Sequence, residues 1–470
     1  MKNNQFLFFC SNFNSRGVSE VWNIFFMEFT KQNPDSLSHF MFVNESGLDN
    51  ISAVSEFTIA QIAIEDKLKQ TEISDDEYKK ISKFVDKHFL GALRTQLDWN
   101  KLSVLNDKEY SFDNRIVHLV KFFMDYVSNN DIKVVCIDFV TTPTSLECRV
   151  LEKVCDEMNI KKLVSVQAAM YGRFEIFDNS KSISRVADGI FKNLLDSPMT
   201  KNELEKLDHF LETYKMRKKR FHGDFWLDKI ENKSSHAKDS VKKIVKSFYN
   251  ILTQKGSDKI NIKHKELKEF LDKPYFVFLP NKKNNHRTYN ASPFHSDYAA
   301  LIKAISISLP VGYSLLIKDH PHHIRKKPNN NLIKAIMSTD NCHYLSLRTD
   351  YYDLLENAKG IFASSSTSSM ECLMAKKHVI VFGSESWIFG TNLLAPVHRV
   401  SNLEKLPSII NNCISTPVEK DKINAYLFSL ISSSSSIEKS DEESDFKSSQ
   451  PDDKQKEYVH IVKMINNLIQ

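Results

Sequence analysis

The sequence predicts an α/β fold with two Rossmann-like domains that face one central cleft. Short apolar runs, of the kind that form buried parallel strands, alternate with helical segments in both halves of the chain. A long charged segment separates these two series. The chain has 470 residues, of which 41% are hydrophobic and 26% charged, so it is long enough to bury two cores.

The first series predicts an N-terminal domain over residues 1–180. Four apolar runs predict its strands: Phe6–Cys10, His39–Val43, Ile132–Ile137 and Leu163–Gln167. The helix Thr144–Met158 is expected between the last two. Asp138 follows the third run, and Gly172 and Arg173 follow the fourth. These residues are therefore expected at the carboxyl edge of the sheet, where open parallel sheets bind ligands.

The second series predicts a C-terminal domain over residues 266–428. Four further apolar runs predict its strands: Tyr275–Leu279, Tyr313–Lys318, Gly360–Ala363 and His378–Phe382. A helix is expected at Tyr298–Ile307, and another after the third strand, where a hydroxyl-rich loop leads into Met370–Ala375. The alternation of strand and helix is typical of a parallel sheet covered on both faces.

Three further segments complete the predicted organisation. Residues 181–265 are charged and helical in pattern, and are expected to form either an added helical layer or the hinge between the domains. Residues 429–456 are rich in serine and acidic side chains, a composition typical of a disordered linker. Residues 457–470 predict a final helix that docks back on the protein.

Two segments of the second domain predict a site for a nucleotide phosphate. Lys318-Asp-His320-Pro321 closes a strand, and Ser364–Ser369 places six hydroxyl residues in a row between a strand and a helix. The free N–H groups at the start of a helix attract anions. The residues expected to bind this nucleotide are Lys318, His320, Pro321, Arg325, Ser365, Ser366, Thr367, Ser368, Ser369 and Glu371.

Each of these features also has a purely structural interpretation. Ser368 and Glu371 fit the capping-box pattern, which starts a helix without any ligand, and His320 can be a hydrogen-bonded turn residue. The nearby His322 and His323 raise the question of a metal. No cysteine or carboxylate cluster accompanies them at ligand spacing, so no metal or cofactor is predicted.

Composition limits the other classes of function. The net charge is +5, and five of its basic residues fall in the six positions Lys215–Arg220. Such a run is typical of a solvated helix face, and it also fits a peripheral contact with an anionic membrane; it lacks the aromatic residues and motif expected for nucleic acid. Seven scattered cysteines without a C-x-x-C motif, and the lack of a signal peptide or an 18-residue apolar run, predict a cytoplasmic protein.

The second half of the chain resembles the bacterial capsule polysaccharide biosynthesis proteins, a family that includes Kdo-transferring enzymes. The motifs that carry this resemblance are Phe276–Pro280, Leu309–Pro321, Asp353-Leu-Leu, Ser365–Glu371 and His378–Gly383. The resemblance implies a GT-B fold that holds a CMP-sugar with a His-Pro motif and a Ser-Ser or Ser-Thr motif. His320 and Ser366-Thr367 take these roles by resemblance. Family members often carry an acidic loop where this chain reads Asn281–Thr288, which has no acidic residue.

The expected reaction assigns roles to the candidate residues. When a sugar leaves a nucleotide, negative charge builds on the phosphate, and fixed donors and cations stabilise it. His320, with Lys318 and Arg325, suits this task. Asp138, on the opposite domain, is the candidate general base for the acceptor hydroxyl, although an aspartate at a strand exit also commonly caps a turn. Arg173, beside Gly172, is the candidate for acceptor binding.

Three functions follow from this resemblance. The first is transfer of a sugar, such as CMP-linked Kdo or sialic acid, to a glycan or lipid-linked acceptor of the cell surface. The second is transfer of a polyol phosphate from a CDP-activated donor, as in teichoic-acid polymerases. The third is a non-catalytic nucleotide-binding subunit of an assembly. The first is the predicted function.

Overall fold

The computed structural model describes most of both predicted domains. The residues that it describes are 5–10, 16–42, 58, 60–68, 71–89, 112–137, 146–167, 173–177, 185–222, 265–280, 295, 297–318, 330–346, 349–363, 367–382, 395–436, 459, 461–463 and 465–469. Every statement below concerns these residues. They form two separate sheets, each with helices on its faces. The prediction of an α/β fold with two Rossmann-like domains is confirmed.

The N-terminal sheet has seven strands, in the order β13-β6-β5-β4-β1-β2-β3. Their bounds are β1 Gln5–Cys10, β2 Leu37–Phe42, β3 Ala60–Ala63, β4 Ile132–Ile137, β5 Lys161–Gln167, β6 Arg173–Phe177 and β13 Ser435–Ser436. Strands β1 to β5 pair in parallel, whereas β6 is antiparallel to β5 and β13 is antiparallel to β6. Since β1 lies at the centre, this is a doubly wound sheet with an antiparallel extension at one side.

Helices cover both faces of the N-terminal sheet. Their bounds are α1 Arg16–Gln32, α2 Ile64–Leu68, α3 Asp75–Phe89, α4 Phe112–Asn129 and α5 Leu146–Glu157. Side chains of α2 to α5 pack on the face that carries Leu7 and Phe9, and α1 packs on the face that carries Phe6 and Phe8. The alternation of these residues along β1 follows from the two-residue period of a strand.

An aromatic cluster dominates the α1 face. Its members are Phe6, Phe8, Trp22, Phe25, Phe26, Phe29, Phe40 and Phe42, all of them at most 1% exposed. Five of these rings lie within 6.3 Å of the Phe8 ring, between centroids, and four of the five meet it edge to face. Such edge-to-face pairs are favourable beyond the area they bury, so this cluster is a major source of stability for the domain.

The C-terminal sheet has six strands, all parallel, in the order β12-β11-β10-β7-β8-β9. Their bounds are β7 Tyr275–Leu279, β8 Ser314–Ile317, β9 Cys342–Tyr344, β10 Gly360–Ala363, β11 Val379–Phe382 and β12 His398–Val400. Counted from β7, the spatial order is 3-2-1-4-5-6, which is that of a Rossmann fold. The order reverses between β7 and β10, where Leu279 pairs with Ala363.

Eight helices accompany this sheet within the described ranges. Their bounds are α6 Arg185–Asp196, α7 Lys201–His222, α8 Tyr298–Ser308, α9 Asn330–Met337, α10 Tyr351–Glu356, α11 Thr367–Met374, α12 Leu406–Ser415 and α13 Lys420–Ser433. Helices α8, α9 and α12 share a core with Phe276 and Phe278, and the other five share a core with Tyr275 and Val277 on the opposite face. The described part of residues 181–265 is thus a helical layer of the second domain.

The chain returns to the N-terminal domain after the second sheet. The predicted linker begins at residue 429, but the structure continues α13 to Ser433 and places Ser435 and Ser436 in β13, so the prediction was wrong for these residues. Helix α13 contacts α6, and β13 pairs with β6, and these long-range contacts hold the serines in place. Neither contact could be predicted from the local composition. Residues 437–456 lie outside the described ranges. Farther on, Ile461, Val462 and Ile465 pack into the aromatic cluster.

Two helices begin with a capping box that the sequence encodes locally. At the start of α3, the Ser74 backbone N–H donates to Glu77 at 3.1 Å, and the Ser74 side chain accepts from the Glu77 N–H at 3.4 Å. Thr200 and Glu203 repeat this arrangement at the start of α7. Each box satisfies N–H groups that would otherwise lack a partner in the first helical turn.

Within the described residues, no helix is both long enough and apolar enough to cross a membrane.

Candidate functional site

The carboxyl edge of the C-terminal sheet is the first candidate site. Strands β10, β7 and β8 are neighbours and run in the same direction, so their carboxyl ends meet at one edge. The reversal of strand order between β7 and β10 opens a crevice at this edge, which is where doubly wound sheets bind ligands. The segment Ser364–Ser369 follows β10, and the segment that begins with Lys318 follows β8. The topology therefore brings the two predicted phosphate-binding segments to the same edge.

Lys318 lies at the end of β8 and is only 7% exposed. Its backbone N–H donates to the carbonyl of Phe278, on the neighbouring strand β7, at 3.3 Å. This bond fixes the lysine next to the point where the strand order reverses. A cation at this position suits an anionic group bound at the edge.

The start of α11 supplies the described hydroxyl groups of the serine loop. The helix begins at Thr367, directly beyond the carboxyl end of β10, and Ser369 in its first turn is completely buried. The Ser369 Oγ has no hydrogen-bond partner among the described residues. The neighbouring carbonyl of Ser368 accepts a hydrogen bond from the Tyr351 hydroxyl at 3.2 Å, which ties α10 to the start of α11. Buried polar atoms in folded proteins nearly always have a hydrogen-bond partner.

Glu371 lies in the second turn of α11 and is 3% exposed. The Tyr214 hydroxyl, from α7, donates to its Oε1 over 3.5 Å. Burial, and then the neighbouring charge of Glu371, raises the pKa of Tyr352, so this tyrosine keeps its proton. Because α11 begins at Thr367, Ser368 lies inside the helix, whereas the capping-box interpretation required it at the cap. The hydrogen bond from Tyr214 and the nearby Tyr352 show that Glu371 faces the layer formed by α7 and α10.

A cavity of about 550 Å³ lies between α7, α10 and α11. Glu371 lines its wall, together with Tyr214, Lys215 and Tyr352, and the Lys215 Nζ lies 5.4 Å from the centre of the Tyr352 ring. The cavity also reaches Lys377, beyond the far end of α11. It therefore runs along the helices away from the carboxyl edge, and Glu371 is the predicted donor-binding residue that it contains.

Seven of the thirteen predicted site residues lie outside the described ranges. They are Asp138, Gly172, His320, Pro321, Arg325, Ser365 and Ser366. Arg173 begins β6, and the side chains of Arg173 and Thr367 are also outside the description. The described members, Lys318, Ser368, Ser369 and Glu371, lie on β8 and α11, and their roles in binding stay predictions.

The structure adds three tyrosines that the sequence analysis did not select. Tyr214 contacts Glu371, Tyr351 contacts Ser368, and Tyr352 lies under Lys215. The one available signal was Asp350, which caps α10 by accepting hydrogen bonds from two backbone N–H groups and so places both tyrosines in its first turn. Among the described residues, the one group of three potential metal ligands is remote from this edge and consists of His378, His398 and Cys413.

A comparison with protein families bears on this edge. Residues 201–390 match the family of capsule polysaccharide biosynthesis proteins. The match confirms the resemblance that the motifs predicted, and it encloses α7, both predicted phosphate-binding segments and strands β7 to β11. It covers 190 of the 470 residues, which is less than half of the chain. No curated protein matches the chain.

Solved structures similar to this chain include two Kdo transferases and a glycosyltransferase. The KpsC β-Kdo 2,7 transferase of Thermosulfurimonas dismutans has 11% identity over 77% of this chain and 98% of its own, with a TM-score of 0.36. The β-Kdo 2,4 transferase of the same KpsC has 13% identity over 63% and 79%, with a TM-score of 0.35. A glycosyltransferase of Rickettsia africae has 13% identity over 99% and 100%, with a TM-score of 0.31. These low scores carry no argument about function.

Proposed function

We propose that this chain is a glycosyltransferase of capsule polysaccharide synthesis. It moves a sugar from a nucleotide-activated donor, a CMP-linked acidic sugar such as Kdo or sialic acid, to a growing surface polysaccharide or glycolipid. The observation that carries the proposal is that the capsule polysaccharide family match encloses the carboxyl edge of a Rossmann-type sheet, where β8 and β10, the strands before the two predicted phosphate-binding segments, both end. The reaction takes place on the cytoplasmic side of the membrane.

In the proposed mechanism the C-terminal domain holds the donor. The bond between the anomeric carbon and the phosphate oxygen breaks, and the phosphate of CMP takes up the electron pair. The buried Lys318 and the N–H groups at the start of α11 support stabilisation of this charge. His320, Pro321 and Arg325 from the first segment, and Ser365 to Ser369 from the second, complete the proposed donor site. A CMP donor has one phosphate, so these groups suffice to neutralise it.

The acceptor enters from the N-terminal domain. An acceptor hydroxyl is a weak nucleophile at neutral pH, and a carboxylate within hydrogen-bond reach increases its reactivity by removing the proton. Asp138 is proposed as this base because it directly follows β4, next to the central strand β1 of the N-terminal sheet. Gly172 and Arg173 follow β5 at the same edge and are proposed to bind an anionic acceptor.

The basic run at Lys215–Arg220 is proposed to hold the enzyme at an anionic membrane. The run lies in the last two turns of α7, and Lys215 is exposed. Each basic side chain near an anionic surface adds on the order of 1 kcal/mol. Co-sedimentation with vesicles that contain anionic lipid, compared with neutral vesicles, tests this contact.

The first experiment is a calorimetric titration of the full chain with CMP, CDP, UDP and GDP, with and without magnesium. Selective binding of CMP without metal is expected. A preference for CDP would favour the polyol-phosphate transferase, and a preference for UDP or GDP would contradict the CMP donor. Binding of CMP without release of the nucleotide from any CMP-sugar would favour the non-catalytic subunit.

A pair of variants then assigns the chemistry. His320→Ala is expected to weaken both CMP binding and transfer, whereas Asp138→Asn is expected to abolish transfer and leave CMP binding unchanged. His343→Ala, a change in β9 away from the crevice, is the matched control. Unchanged transfer in His320→Ala would remove the central role of this histidine, and persistent activity of Asp138→Asn would place the base elsewhere.

A further inference from the structure

Three metal-binding side chains meet at the amino edge of the C-terminal sheet, opposite to the proposed donor site. His378 directly precedes β11, His398 is the first residue of β12, and Cys413 lies in the last turn of α12. One ligand atom from each residue, two imidazole nitrogens and a sulfur, lie within 4.8 Å of one another. Nitrogen and sulfur ligands at such distances are those that zinc prefers in proteins.

The distance between the two imidazoles fits a shared ion. The Nδ1 of His378 lies 3.1 Å from the Nε2 of His398. Two nitrogens bound to one tetrahedral zinc, each at about 2.0–2.1 Å, lie roughly 3.3 Å apart. A shift of a few tenths of an ångström therefore converts the present contact into a pair of metal ligands.

The other nitrogen of His378 has the partner that a metal-bound histidine usually has. Its Nε2 lies 2.9 Å from the carbonyl oxygen of Thr416, which directly follows α12. A carbonyl oxygen only accepts hydrogen bonds, so Nε2 is the nitrogen that carries the proton. In the neutral ring the lone pair is then on Nδ1, which points to His398. A hydrogen bond from the distal nitrogen to a backbone carbonyl orients the ring and fixes this tautomer.

The three side chains are shielded from solvent. Both imidazoles are half-buried, and Cys413 is 4% exposed. A hydrogen bond between the two histidines would explain their contact, but it would not explain why a thiol from another element converges on them.

We propose that His378, His398 and Cys413 bind a zinc ion, with water in the fourth position. The ion would join the start of β11, the start of the edge strand β12 and the end of α12, and so would stabilise this side of the C-terminal domain. Binding replaces the thiol proton of Cys413, which passes to solvent as the sulfur coordinates the ion. This site is separate from the donor site, for which no metal is predicted.

The test is the binding of zinc to the untagged full chain, measured by competition with a chromogenic chelator and by elemental analysis after dialysis. One equivalent of zinc is expected. Cys413→Ser and His398→Gln should each lower the affinity at least tenfold. Cys342→Ser and His343→Gln, two half-buried or buried residues of β9, are matched controls and should bind as the original chain does.

A second measurement gives its positive signal in the unmodified protein. Replacement of zinc by cobalt(II) should give a thiolate-to-cobalt charge-transfer absorption in the unmodified protein, and this absorption should be missing in folded Cys413→Ser. Less than one equivalent of bound zinc, or equal affinity in Cys413→Ser and the original chain, would overturn the proposal. Chelation of the zinc should leave CMP binding intact, so failure of this proposal and failure of the glycosyltransferase proposal are distinguishable.

Discussion

The two sheets of this protein share a topology but bury different chemistry. In each, the first five strands take the spatial order 3-2-1-4-5, and all five are parallel. The α1 face of the N-terminal sheet is closed by an aromatic cluster. In the C-terminal domain, the layer of α10 and α11 contains the buried Glu371, the tyrosines around it and a cavity. Topology alone therefore does not distinguish these two layers, and the side chains that they bury do.

This difference separates changes that affect stability from changes that affect binding. A residue of the aromatic cluster contacts other rings, so its loss should lower the free energy of unfolding of the N-terminal domain. A polar residue at the carboxyl edge of the second sheet should affect nucleotide binding more than stability. Substitutions that fail to sort in this way would break the comparison.

Phe8→Ala is expected to have the largest effect. The ring is fully buried among five other aromatic rings, and its removal leaves a cavity, which typically costs about 3–5 kcal/mol of unfolding free energy. Denaturant unfolding followed by tryptophan fluorescence measures it, with the exposed Val311→Ala as control. CMP affinity of the folded fraction should not change. A loss below about 1 kcal/mol would show that the aromatic cluster is not a major stabilising element.

Lys318→Met should lower transfer without unfolding the protein. The side chains have similar length, and loss of one group that stabilises developing charge typically lowers the rate by roughly 100-fold or more. Transfer from a CMP-sugar and calorimetric CMP binding measure the effect. The exposed Lys303→Met, in α8, is the matched control. Equal effects of the two substitutions would mean that Lys318 acts only in packing.

Gly360→Ala should lower the stability of the C-terminal sheet by an intermediate amount. A Cβ at this position would lie 2.7 Å from Cε1 of Phe276, which is closer than real Cβ atoms approach. Overpacking of this kind typically costs about 1–3 kcal/mol. Gly189→Ala in α6 is the control, because nothing lies within 4 Å of its Cβ and alanine favours a helix interior. Equal unfolding midpoints for the two variants would contradict the predicted clash.

Glu77→Gln should have the smallest effect, a small loss of stability above about pH 4.5 that disappears as the pH falls through about 2. Hydrogen bonds from Lys121 and Ser74 lower the pKa of Glu77 from its usual 4.5 to about 2. Because the folded pKa is the lower one, this contribution to stability is complete above about pH 4.5 and is lost as the pH falls through about 2. Thermal unfolding from about pH 2 to 7 should show a shallower acid-side decline in the variant. An identical decline would contradict the prediction.

Much of the fold could be predicted because its longer strands are local in the sequence. The apolar runs at Phe6–Cys10, Ile132–Ile137 and Tyr275–Leu279 are strands in the structure within a residue or two. The short strands were missed, since β9 and β12 have three residues each and contain His343 and His398. Parallel pairing with β8 and β11 holds them in the sheet, and no local pattern encodes that pairing.

In the candidate site, too, local patterns could be predicted from the sequence, whereas long-range contacts could not. The Ser/Thr-x-x-Glu pattern forms a true capping box at Ser74 and at Thr200. In α11 the helix begins two residues earlier than a cap at Ser368 would require, and Glu371 accepts a hydrogen bond from Tyr214, which is 157 residues away in the sequence. The serine loop after β10 was predictable from its position. The tyrosines were not, because their contacts depend on how α7 packs against α10 and α11.

The return of the chain to its first domain has a consequence for the order of folding during synthesis. Ile461, Val462 and Ile465 cover part of the aromatic cluster, and β13 pairs with β6. These three residues and β13 are synthesised after the whole second sheet. The N-terminal domain therefore emerges from the ribosome with an incomplete apolar face. That face stays exposed to aggregation, and open to chaperones, until translation reaches the last turn of the C-terminal segment.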